Sequence, residues 1–77
     1  MEKLKASEVK IGDHIVFANK KTLFKVVPDT GYGSWKYPNK AIAIEAVKSQ
    51  IPNLVGRSIC RVSFNRWVFR VPATFSI

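Results

Sequence analysis

Cysteine and histidine are nearly missing from this 77-residue chain, which has one of each, Cys60 and His14. A single cysteine permits no intramolecular disulfide, and a secreted domain of this size ordinarily carries several, so a reducing, cytoplasmic setting is expected. One thiol and one imidazole cannot build a closed zinc site or a His-based metal triad, so no metal or other cofactor is expected. A nucleophilic triad would need His14 as its base, and the adjacent Asp13 falls on the opposite face of a strand. Carboxylates are scarce as well: Glu2, Glu8, Asp13, Asp29 and Glu45 include no closely spaced pair on one face, which leaves carboxylate-pair hydrolysis without a seat. Gly31-Tyr32-Gly33 lacks the third glycine or the Lys-Ser/Thr ending of a nucleotide-binding turn. An enzyme is therefore not expected. Long apolar runs are absent too: no stretch approaches the ~18 residues of a bilayer span. Met1-Glu2-Lys3-Leu4-Lys5 does not read as a secretory signal.

What is present is apolar bulk and positive charge. Hydrophobic residues make up 47% of the chain, with five Phe, two Trp and two Tyr, enough for a packed core and too much for disorder. The length supports one domain, 1–77, small enough that either a monomer or a homodimer fits. Thirteen Lys and Arg against five acids give a net charge of +8, and the isoelectric point near 10.1 points to a polyanionic partner.

Short apolar runs separated by turn residues are the punctuation of a small, mainly β domain. Gly12-Asp13 forms a turn that launches a strand at His14-Ile15-Val16-Phe17-Ala18, and Asn19-Lys20-Lys21-Thr22 reverses it into Leu23-Phe24-Lys25-Val26-Val27, which Pro28 ends. With Lys20-Lys21 as a two-residue loop, Phe17 opposes Phe24 and Ile15 opposes Val26 on one apolar face. A second hairpin is expected around Asn65-Arg66, opposing Phe64 to Trp67, Val62 to Phe69 and Cys60 to Val71. Its outer face would set Arg61 against Arg70, a like-charged pair that an anion would relieve. The alternation sends Cys60 inward as a small hydrophobe, despite its cationic neighbours Arg57 and Arg61. The segment 40–48 fits two periods. As a strand it aligns Ile42, Ile44 and Ala46; as a helix it aligns Ala41, Ile44, Val47 and Ile51, with Asn39 as cap and Pro52 past its end.

The opening Leu4-Lys5-Ala6-Ser7-Glu8-Val9-Lys10-Ile11-Gly12-Asp13-His14-Ile15-Val16-Phe17, followed by a hairpin, resembles the start of Src-homology-three-like small barrels. In these a Gly-Asp turn feeds the first strand. The resemblance continues in Ile42-Ala43-Ile44-Glu45-Ala46-Val47 as a third strand with an acidic centre, and in a final hairpin from Arg57 to Val71. It implies a small five-stranded barrel and favours the strand reading of 40–48; the alternative is an α+β ββαββ arrangement with a helix at about 40–50. Similar barrels of the Tudor and KOW kind bind nucleic acid or peptides and rarely catalyse, an implication by analogy alone.

Two groups of residues fit such binding. Arg57, Arg61, Arg66 and Arg70 belong to the last hairpin and offer planar, bidentate donation to phosphate. The loop Tyr32-Gly33-Ser34-Trp35-Lys36-Tyr37-Pro38-Asn39-Lys40 interleaves Tyr32, Trp35 and Tyr37 with Lys36 and Lys40, a base-stacking composition beside backbone-tracking charge. Lys20 and Lys21 add a basic tip. The sequence thus points to a non-catalytic module binding DNA or RNA through a basic hairpin face and an aromatic, basic loop. The alternative is a protein-interaction module or small regulator that docks on an acidic protein surface, since Tyr, Trp and Arg also dominate interface hot spots.

Overall fold

The structure is a computed structural model that describes residues 2–28, 41–51, 53–56 and 59–77. Alternation at the start of the chain, with Leu4 buried between exposed Lys3 and Lys5, forms strand β1 (Glu2–Lys5). A single 3-10 turn, η1 (Ala6–Glu8), follows, and the Glu8 carboxylate accepts the Lys5 N–H at 3.1 Å. The chain then turns over Lys10–Asp13. There the Asp13 N–H reaches the Lys10 carbonyl at 3.0 Å and Gly12 takes φ +97°, a region open to glycine at little cost. Strands β2 (His14–Val16), β3 (Thr22–Val27), β4 (Ala41–Ser49), β5 (Cys60–Ser63) and β6 (Trp67–Val71) complete the elements of the described residues.

All six strands lie in one antiparallel sheet of order β1-β6-β2-β3-β4-β5. Leu4, Val68, Ile15, Val26, Ile44 and Val62, one from each strand, meet in a single buried cluster with Ala6 and Val9. Edge strands of a flat sheet could not share one core, so the sheet curls around it. The sheet is not closed. The gap is bridged by η1, whose Ala6 and Ser7 amides donate to the carbonyls of Arg66 at 2.8 Å and Phe64 at 3.2 Å. On the opposite face of the sheet, Val16, Leu23 and Val71 form a second small cluster covered by Phe69, Phe75 and Ile77.

Several expectations change against this architecture. Among the described residues there are six strands where five were expected, because β1 precedes the Gly-Asp turn. Residues 41–49 are strand, which removes the helix at about 40–50. Paired on both sides, β4 uses its period-two pattern, and Ile42 and Ile44 face Val62 and Cys60 across the ladder. In the first hairpin Ile15 opposes Phe24 instead of Val26, a slip of two residues. The turn starts earlier, with the Lys20 N–H on the Phe17 carbonyl at 2.9 Å and Lys20 at φ 55°. A two-residue slip preserves the facing of every side chain, so Phe17 and Phe24 still meet, their ring centroids 5.3 Å apart.

The second hairpin does not form. β5 pairs with β4, and β6 lies between β1 and β2. A tight hairpin turn requires positive φ at one or both of its central residues. Among the described residues only Lys20 and Asn53 besides glycines have it, so the turn closed by the Arg66 N–H on the Ser63 carbonyl at 3.0 Å splays the chain. The carbonyls of Phe64 and Arg66 go to η1 instead. Cys60, expected inward, is exposed, because it begins an edge strand.

Candidate functional site

Arg61 and Arg70 do not converge. Arg61 sits on β5 across from Ala43 and alternates with core-facing Val62, whereas Arg70 sits on β6 across from Glu2 and Ile15 on the side of core-facing Val68, so the two lie on opposite faces of the sheet. Arg70 is held in an ion pair with Glu2, and its Nη1 lies 3.6 Å from an Asp13 carboxylate oxygen. The hydrogen bond to Glu2, and after it the charge of Glu2, raise the Arg70 guanidinium above its ordinary range. Arg70 therefore keeps its charge at any working pH, with two carboxylates beside it.

That pairing sorts the charges along the sheet. Glu2 faces Arg70 and Asp13 leads into His14, which lies across from Val71, so both acids occupy one end of the strands. At the other end Lys5 lies across from Trp67, and Arg66 begins the approach to β6. Val16 lies across from Phe69, which carries the following loop, with Lys20 and Lys21, towards Arg66. The guanidinium carbon of Arg66 rests 4.6 Å from the Phe17 ring centroid, so these two turns touch. Stacking on a ring holds the fork of N–H donors in place, a geometry suited to phosphate. Glu8 is the one carboxylate among the described residues of this end, and it is engaged by the Lys5 amide.

Trp67 lies at the same end and is 52% exposed. It shares the alternating side of β6 with Phe69 and Val71, which belong to the cluster that Phe75 and Ile77 pack against. Lys3 and Lys5, which follow the same alternation on β1, place their ammonium nitrogens 5.2 Å and 5.6 Å from the Trp67 ring centroid. Trp67 is thus not inside a hairpin face against Phe64, as the alternation around Asn65-Arg66 predicts. The signal for its exposure is the alternation Glu2-Lys3-Leu4-Lys5, a strand pattern that brings two lysines beside whatever β1 pairs with.

Of the other expected residues, Lys20 and Lys21 are exposed in the β2–β3 turn, and Arg66 is exposed. Tyr32, Trp35, Lys36, Tyr37, Lys40 and Arg57 lie outside the described residues. A shallow apolar cleft of about 240 Å³ opens between Val9, Ile11, Val27, Ala41 and Phe64, and among the described residues no charged side chain lines it. Among the described residues no three side chains of the His, Cys, Asp and Glu types gather, and no helix is long and apolar enough to cross a membrane. Comparison of the chain with protein-family models, curated proteins and solved structures found nothing that matches.

Proposed function

We propose that this chain is a non-catalytic nucleic-acid-binding module that works in the cytoplasm and docks the phosphate backbone at the end of the sheet bearing Lys5, Arg66, Lys20 and Lys21. The observation that carries the reading is the sorting of charge. Glu2 and Asp13 sit on Arg70 at one end, and the cations at the other end face a single carboxylate among the described residues. With a formal charge of +8, the chain offers a polyanion both long-range attraction and a defined place to land. The site proposed from sequence shifts accordingly: Arg66, Lys20 and Lys21 stay in it, Lys3 and Lys5 join, and Arg70 serves to hold β1. In the same reading the curled sheet is a Src-homology-three-like barrel left open between β1 and β5, which is supported by the shared core and by the η1 bridge.

A salt titration tests the reading. The logarithm of affinity should fall linearly with the logarithm of salt, and Lys20→Ala with Lys21→Ala should flatten the slope by about 0.7–0.9 for each phosphate no longer neutralised. If no RNA or DNA, single-stranded or duplex, is retained at ~50 mM salt, the reading is wrong. The same cations would then serve an acidic protein surface.

A further inference from the structure

We propose that Trp67 is a base-stacking platform that makes single-stranded nucleic acid the preferred ligand of this site, with Lys3 and Lys5 holding the phosphates that flank the stacked base. The inference rests on the nucleic-acid reading above and narrows its ligand class.

A tryptophan gains most from folding by burying its ring, and this one leaves half its surface in water on an open sheet face. The means of covering it is close at hand. Phe75 and Ile77 pack with Phe69 against Val16, Leu23 and Val71 on that face, and Trp67 remains 52% exposed. Among the described residues two cations meet Trp67: Lys3 and Lys5 stand at cation–π distance from the ring. A flat ring between two ammonium groups matches a nucleotide, whose base offers a π-face and whose phosphates offer charge. Exposed ammonium groups are held only weakly over a ring, so a base can take their place while they move outward to the phosphates on either side.

The duplex lacks one half of this match. Its bases already stack on their neighbours and present only edges in the grooves, so an exposed ring gains nothing from them. An unstacked base has a face to give, and stacking of this kind tolerates any base, so the site selects strand state over sequence. Lys3 and Lys5 add charge neutralisation that single strands and duplexes feel alike.

The experiment measures affinity of the full chain for a labelled dT oligonucleotide, a labelled U oligonucleotide and a DNA duplex of equal phosphate number at fixed low salt. It compares the native chain with Trp67→Ala, Trp67→Phe and Lys3→Gln/Lys5→Gln, and thermal melts verify the fold of each variant. Trp67→Ala should lose about ten- to a hundredfold on both single strands and less than about twofold on the duplex, with an unchanged salt slope. Trp67→Phe should recover most of that loss. Lys3→Gln/Lys5→Gln should weaken all three ligands and flatten the slope. Equal loss on single strands and duplex, or no loss, overturns the stacking role and leaves nucleic-acid binding standing. Failure of the native chain to bind any of the three overturns both.

Discussion

Arg66 and Phe17 hold two turns together: the guanidinium carbon of Arg66 sits 4.6 Å from the Phe17 ring centroid, while Phe17 packs in turn on Phe24, ring centroids 5.3 Å apart. A cation of the proposed binding surface is thereby anchored to the core. Arg66→Ala should weaken binding to single strands and lower the salt slope by about 0.7. Arg66→Lys should keep the slope and lose affinity, because an ammonium lacks the planar fork that stacks and donates together. Filter binding over a salt series reads both.

Glu2 and Arg70 give a contrasting expectation. Their ion pair is exposed, so Glu2→Gln should lower the thermal midpoint only slightly. Because the Arg70 pKa is raised, any stability the pair adds is fully present below the ordinary arginine range and is lost only as pH climbs through the elevated value. Between about pH 6 and 9 the difference in stability between the native chain and Arg70→Gln should therefore be flat with respect to arginine titration. A thermal-melt series across that interval checks it, and a difference tracking pH near neutrality would show another group at work.

The two faces of the sheet should respond unequally to truncation. Ile15 is wholly buried where the six strands meet, and Ile15→Ala should cost about 2–5 kcal/mol, a large share of what so small a domain has. Phe75 is only half-buried over Val16, Leu23 and Val71, so Phe75→Ala should leave a folded chain with a lower midpoint. Urea denaturation of the two variants distinguishes them.

Gly12 isolates a backbone effect. A Cβ at this position would meet nothing within 4 Å, yet φ is +97°. Gly12→Ala should then destabilise by about 1 kcal/mol through backbone strain alone, and Gly12→Asn should cost less, since asparagine tolerates left-handed conformations. If alanine were neutral in denaturation experiments, the Lys10–Asp13 turn would have another conformation open to it.

Much of the local pattern was legible in the sequence. The Gly-Asp turn and the inward faces of β2, β3 and β4 follow from period-two alternation, which survives even a register slip of two. Strand partnership was not legible, because alternation says which way a side chain points and nothing about which strand lies beside it. One local clue was present: neither Phe64, Asn65 nor Arg66 is glycine, so a tight hairpin turn lacked its usual residue. Of the candidate site, Arg66, Lys20 and Lys21 were legible as exposed turn cations. Lys3, Lys5 and Trp67 were not, because the pairing of β1 with β6 joins the two ends of the described chain and no local signal announces it.

The ladder between His14–Val16 and Phe69–Val71 also bears on kinetics. β2 must wait for almost the whole chain to be in place before its second neighbour arrives, and closing so long a loop is entropically slow. Refolding should run in milliseconds to seconds, with the β2–β3–β4 meander formed early and β6 and β1 docking last. The amides of the last two strands would then exchange with deuterium well before those of β4.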